Sequence, residues 1–203
     1  MQIEELALTG VIADVELRDG VLKLTKFSAE FPKGTGAKAG SFSGTASFGI
    51  DPRTELIADL NLDEVPLGSM FAAIPGLRDK ADGVLSGAFH LKIPGDKFSD
   101  VKSCEADGKL TSTGITVFAQ KAEKLSVQVV LMNGVAALTK AEADIYSGTV
   151  SGDAKLPLIG AQSGGFKIAF KGIDTAALVK AIPNSPVKLV GKVDGKLEGT
   201  PHR

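Results

Sequence analysis

Apolar and polar residues alternate with period two along most of this chain. Phe42, Gly44, Ala46, Phe48 and Ile50 alternate with Ser43, Thr45, Ser47 and Gly49, the pattern of a strand with one dry face and one wet face. Leu56, Ala58, Leu60 and Leu62 repeat it, with Ile57 as the exception. Leu85, Gly87, Phe89, Leu91 and Ile93 do so again, followed by Phe166, Ile168 and Phe170, and then by Val187, Leu189, Gly191, Val193 and Leu197. Turn dipeptides separate the runs at Asp19-Gly20, Asp51-Pro52, Asn133-Gly134, Ser147-Gly148 and Asp194-Gly195, so short hairpins are expected to join neighbouring strands. Two segments break the alternation. Residues 66–74 open on Pro66 and stop before Pro75, and residues 174–182 open on Asp174 and stop before Pro183. Both predict short helices, with Pro at a first helical position in one and a capping Asp in the other.

The two helical segments belong to a longer correspondence. Gly40-Ser41-Phe42-Ser43-Gly44 returns 108 residues later as Gly148-Thr149-Val150-Ser151-Gly152, and Ile74-Pro75 returns as Ile182-Pro183 at the same separation. Upstream, Asp19-Gly20-Val21 and Leu24-Thr25-Lys26 return as Asn133-Gly134-Val135 and Leu138-Thr139-Lys140, 114 residues on. Downstream, Leu85-Ser86-Gly87 and Gly95 match Leu189-Val190-Gly191 and Gly199, 104 residues on. The period is too long for a solenoid turn and fits a duplicated sheet-forming unit. The sequence therefore predicts a mainly β, antiparallel, strongly curved and twisted sheet of groove-like form. It would be built of two repeated units, 1–100 and 101–203, each with one short helix.

Composition narrows the function. Lys and Arg number 23 against 24 Asp and Glu, a net charge of −1, which leaves no basic field for nucleic acid. Cys104 is the single cysteine, so an intramolecular disulfide and a cysteine-rich metal site are both excluded. No run reaches the roughly 18 apolar residues of a membrane helix, and the acidic start at Glu4-Glu5 is unlike a signal peptide. Trp is absent, Tyr occurs once and Gly 24 times, a balance that favours a thin sheet over a compact globular core. His90 reads as a strand surface residue, His202 as a tail residue and Cys104 as a passive small residue. Gly34-Thr35-Gly36 lacks the Lys-Ser/Thr spacing of a phosphate loop, and the serines lack a nucleophile elbow. No enzyme, metal or cofactor is expected. Lys167, Lys171, Lys188, Lys192 and Lys196 form a basic stripe that reads as a solvated face, with contact to anionic lipid headgroups as the lesser reading.

Tyr146 to Gly152, Ile173 to Ile182, and the glycine-spaced Leu189 to Gly199 together resemble the AsmA-like C-terminal region of AsmA and TamB relatives. The first half matches more loosely through Gly40–Gly44, Val65–Ile74 and Leu85–Gly95. The resemblance implies a periplasmic or envelope protein, anchored to the inner membrane through a segment outside this chain, that continues into adjacent repeats of a longer parent. It implies an apolar β-groove that binds phospholipid or another acyl lipid, moves it between inner and outer membranes, or assists outer-membrane assembly. The groove lining would be Leu60, Leu62, Phe89, Leu91, Ile168, Phe170, Leu189 and Val193. A unit of that kind, cut from its neighbours, has two free edges and is expected to self-associate edge to edge. The alternation alone equally fits a closed β-sandwich of a structural or secretion-system protein, whose core would be the same apolar faces with no lipid path.

Overall fold

The computed structural model describes residues 8–31, 40–51, 54–68, 81–97, 100–117, 120–158, 164–181 and 188–200. Eleven antiparallel strands follow one another in chain order in one open sheet. They are β1 (Thr9–Arg18), β2 (Val21–Glu30), β3 (Ser41–Gly49), β4 (Leu56–Pro66), β5 (Ala81–Ile93), β6 (Glu105–Val117), β7 (Gln120–Met132), β8 (Val135–Ile145), β9 (Gly148–Pro157), β10 (Gly165–Asp174) and β11 (Lys192–Gly199). Every connection is local, so each strand lies beside its sequence neighbours. The expected boundary at residue 100 falls between β5 and β6, which pair from Ala81 with Val117 to Lys92 with Glu105.

Three tight turns have the left-handed backbone that antiparallel hairpins favour. Asp19-Gly20 has φ of 50° and 72°, Asn133-Gly134 has 53° and 72°, and Tyr146-Ser147 has 49° and 60°. The third turn lies one residue earlier than expected, and Gly148 already belongs to β9. Asp194-Gly195, expected as a turn, lies inside β11. The glycine there answers a packing need, because a Cβ on Gly195 would fall within 3 Å of the Phe170 ring on β10. The last strand also begins later than its alternation implied, at Lys192, so Leu189 precedes it in irregular chain and is 49% exposed.

Strict period two fails at seven pairs of neighbouring strands, and at four of them the sequence carries the same sign. Leu24 and Phe27, Leu62 and Val65, Leu138 and Ala141, and Phe170 and Ile173 are apolar residues three apart with two other residues between them. The pairing register shifts at each of these places. A bulge there spends one extra residue and returns the next apolar side chain to the dry face. Glu64, Lys140 and Gly172 occupy three of the bulges with φ of 49°, 50° and 66°. The following strand caps the bulged N–H each time. Glu64 N donates to Ser86 Oγ at 3.0 Å, Lys140 N to Asp153 Oδ1 at 2.9 Å, and Gly172 N to Asp194 Oδ1 at 2.6 Å.

The helix expected over 174–182 is α1 (Thr175–Lys180), with Asp174 as its N-cap accepting from Ala176 N and Ala177 N. For the helix expected over 66–74, β4 runs through Pro66 and a helical turn starts at Leu67-Gly68. Residues 69–80 lie outside the described residues, as do Ile182, Pro183, Val187, His202 and the tip at 34–36.

Burial is concentrated where β4 gives way to that turn. Val65 is fully buried, Leu67 is 2% exposed, and Leu85 packs against Leu67 with Leu110, Ile115 and Leu125 around them. Phe42 meets Phe27 edge-on at 5.5 Å and Phe31 at 5.9 Å. Ala29, Phe31, Ala58, Ala122, Val127, Ala143 and Ile173 are buried elsewhere along the sheet, while Val11, Ile12, Val15 and Leu17 on β1 are exposed and most other apolar side chains are half-covered. The accessible surface is 13428 Å², about half again the roughly 9000 Å² of a compact protein of this mass.

The pairing of β4 with β5 recurs in β10 with β11. Leu60 pairs with Phe89, Leu62 with Gly87 and Val65 with Leu85. Ile168 pairs with Leu197, Phe170 with Gly195 and Ile173 with Val193, each residue 108 further on. The four-residue loss expected downstream is absent from this register: Gly87 corresponds to Gly195, not to Gly191. Upstream the separation is 114 on the earlier strands, as the sequence match gave: Val15 with Leu24 corresponds to Val129 with Leu138.

Candidate functional site

Side chains that face each other across antiparallel strands share a side of the sheet, so the register alone maps the apolar face. One row runs Ala13, Phe27, Gly44, Leu60, Phe89, Gly108, Val129, Leu138, Ala154, Phe166, Gly199, and crosses all eleven strands without a polar residue. A neighbouring row runs Val15, Leu24, Ala46, Ala58, Leu91, Ala106, Leu131, Ala136, Leu156 over nine strands. No charge interrupts either row, so an apolar chain laid across them loses no hydrogen bond to water that the face would have to replace.

Leu60, Leu62, Phe89 and Leu91 come together in one patch on β4 and β5, all half-buried. Ile168, Phe170 and Val193 form a second patch on β10 and β11. Leu189 joins neither. The middle of the face is supplied by residues the sequence reading passed over: Leu110, Val127, Val129, Leu131 and Leu138. Their signal was present, since Leu125, Val127, Val129 and Leu131 alternate in period two with Ser126 and Gln128.

The face is uneven. Beside the second patch, a cavity of about 200 Å³ is floored by Ala141, Ala143, Gly152 and Ala154 and walled by Leu125, Leu138, Phe166 and Ile168. The depression arises because small residues on β8 and β9 lie between large ones on β7 and β10. Glycines also answer aromatics across the strands: a Cβ on Gly108 would collide with Phe89, on Gly195 with Phe170 and on Gly199 with Phe166. Four glycines of this face, Gly44, Gly87, Gly108 and Gly152, would place a Cβ within 3 Å of a carbonyl oxygen of the adjacent strand.

Ionisable groups of the other face are largely solvated and paired. His90 Nδ1 lies 2.9 Å from Asp59 Oδ1, with side chains 47% and 66% exposed. Lys167 Nζ lies 2.9 Å from Glu198 Oε1; that hydrogen bond, with the attraction of the same carboxylate, raises the Lys167 pKa above its ordinary value. Lys92 pairs with Glu55 and Lys124 with Asp144, each at 3.1 Å. Cys104 Sγ contacts the Asp100 carbonyl at 3.6 Å. Among the described residues no three His, Cys, Asp or Glu side chains gather to hold a metal ion, and no helix is long and apolar enough to cross a membrane. No family model, curated protein or solved structure matches the chain.

Proposed function

We propose that this protein is a non-enzymatic envelope component whose apolar sheet face binds acyl lipid, carrying it between inner and outer membranes or serving outer-membrane assembly. The observation that carries the reading is the unbroken apolar row from Ala13 on β1 to Gly199 on β11. An acyl chain crossing water exposes methylenes at about 0.8 kcal/mol each, so a route for it needs apolar wall along its whole length. Each strand adds about 4.8 Å to the row. Eleven strands therefore give a path that greatly exceeds one binding pocket.

The path would be a trough. On a flat sheet a Cβ stands clear of the neighbouring backbone. At Gly44, Gly87, Gly108 and Gly152 the neighbouring carbonyl occupies that space, which supports a sheet bent toward its apolar side, with glycine at the tightest points. The common register of β1–β5 and β7–β11 supports two copies of one unit, with β6 joining them. The resemblance of residues 146–152, 173–182 and 189–199 to AsmA-like regions is the ground on which a periplasmic location and an inner-membrane anchor outside this chain are proposed.

Lipid extracted from the purified chain and identified by mass spectrometry tests the reading together with one variant. Val129 is half-buried in the middle of the row. In an open trough the carboxylate of Val129→Asp reaches water, so the variant keeps its β circular dichroism and loses bound lipid at least roughly tenfold. In a closed core an unpaired charge costs several kcal/mol, comparable to the stability of a domain. Unfolding of Val129→Asp, or a wild-type chain that carries no lipid, overturns the proposal.

A further inference from the structure

The two edges of the sheet are chemically unlike. On β11 the wet face carries Lys192, Asp194, Lys196 and Glu198 in succession, while Val193, Gly195, Leu197 and Gly199 lie on the apolar face. Consider β11 beside β11 of a second copy, antiparallel, with the two-fold axis normal to the sheet through Gly195. Lys192 then faces Glu198 of the second copy and Asp194 faces Lys196, and symmetry repeats both pairs. All four wet-face pairs are of opposite charge. On the apolar face Val193 meets Leu197 of the second copy.

Moving the axis by one residue destroys this match. Centred on Asp194, the pairing opposes the two Asp194 side chains and sets Lys192 against Lys196. Centred on Lys196, it opposes the two Lys196 side chains and sets Asp194 against Glu198. The far edge offers no equivalent. On β1, Asp14 and Glu16 share the wet face, pairing with Lys26 and Lys23 of β2. Arg18 shares that face at the end of the strand, but antiparallel self-pairing opposes Asp14 to itself, Asp14 to Glu16, or Glu16 to itself when centred on residues 14, 15 or 16, and the register centred on Leu17, which sets Glu16 against Arg18, pairs only the last three residues of β1. Like charges directly opposite one another destabilise a strand pair.

Two further features belong to the β11 edge. Leu197 is 56% exposed, an apolar side chain at an edge that Val193 of the second copy would cover. In the other half of the sheet, β5 pairs β4 in the same register and has an antiparallel strand, β6, on its outer side. Among the described residues β11 has nothing in that position. The charges already engaged within the chain stay compatible. Glu198 keeps Lys167 and gains a second lysine, and Asp194 accepts the Gly172 N–H with one oxygen and has the other for Lys196.

We infer that two copies of this chain associate through β11, antiparallel and centred on Gly195, into one continuous 22-stranded sheet with both apolar faces on the same side (twice the eleven of one copy). The interface is isologous, and its hydrogen bonds are those of any antiparallel pair. It requires no bound lipid, so it stands or falls separately from the lipid reading.

Sedimentation of the full chain at low ionic strength is expected to give a monomer–dimer equilibrium with no larger species. Lys196 pairs with Ala169 inside the sheet, so Lys196→Glu leaves the chain folded and weakens the dimer roughly tenfold or more by placing two carboxylate pairs in opposition. Lys192→Glu and Glu198→Lys each weaken it alone, and an equimolar mixture of the two restores association as a heterodimer. Register is read in a Cys104→Ser background: Val193→Cys and Leu197→Cys chains form a disulfide when mixed and none alone. A strict monomer, a dimer indifferent to Lys196→Glu, or cross-linking of Leu197→Cys to itself overturns the inference.

Discussion

Gly152 and Gly165 lie on adjacent strands and meet very different surroundings. A Cβ on Gly152 would strike the Lys167 carbonyl oxygen and approach Ile168 Cα at 3.1 Å, whereas on Gly165 it would find its nearest atom, Gly199 O, at 3.7 Å. Backbone yields less readily than a side-chain tip. Gly152→Ala should therefore cost about 1–3 kcal/mol, as overpacking does. Gly165→Ala should be neutral or stabilising by up to about 1 kcal/mol, because the unfolded chain loses freedom without strain in the fold. Urea denaturation of both variants checks the pair, and equal effects would contradict the close approach of β9 and β10. Leu189 and Gly195 show how neighbours decide such positions. Leu189 has the alternation of a strand residue, yet β11 begins only at Lys192. Asp194-Gly195 has the composition of a turn, yet Phe170 needs the space over Gly195 and Gly172 needs the Asp194 carboxylate. Neither demand is local in sequence.

At the scale of the element, the bulges keep the dry face dry. Leu138 and Ala141 both face the apolar side because Lys140 is spent in a bulge between them. Deleting Lys140 alone would leave Leu138 and Ala141 two apart in a regular ladder, both still on the apolar face, whereas deleting Thr139 and Lys140 together would make them neighbours and turn Ala141, Ala143 and Ile145 to the wet face. The single deletion should keep cooperative unfolding and the double deletion should abolish it, as followed by circular dichroism during thermal denaturation. The same outcome for both deletions would mean that the bulge does not set the phase. β3, β4, β5 and β10 were legible from period two, with β11 in part, and α1 from Asp174 with the proline after Ile182, because both signals are local; β1, β2 and β6 to β9 were not read as alternating strands. The bulges were legible too, as apolar residues three apart at Leu24/Phe27, Leu62/Val65, Leu138/Ala141 and Phe170/Ile173. Read as plain alternation, those spacings look like noise. The correspondence of Gly87 with Gly195 needed the cross-strand register, since Leu189-Val190-Gly191 imitates Leu85-Ser86-Gly87 more closely by residue type.

For the whole molecule, what matters is that the apolar side of the sheet is continuous and uncovered among the described residues. Eleven strands in simple succession give an object that grows by adding strands, and its apolar rows lengthen with it. Such an architecture suits a conduit better than a pocket, because every strand contributes the same few apolar residues and none is special. Of the eight residues expected to line the groove, Leu60, Phe89 and Leu91 lie on those rows and Leu62 and Ile168 one step beside them, Phe170 and Val193 share the apolar side further along their strands, and Leu189 lies outside the sheet. The sequence identified their sides of the strands. It could not indicate how far the rows run, because that depends on the register of ten strand pairs. The most direct test of the account is photolabelling of the full chain with phospholipid carrying a photoactivatable group on one acyl chain, followed by peptide mapping of the adducts. The account predicts adducts at Leu60, Phe89, Val129, Leu138 and Phe166, spread across the sheet, with Asp59, His90, Lys109 and Gln128 on the opposite side unlabelled. Labelling divided equally between the two sides, or confined to one end of the row, would contradict it.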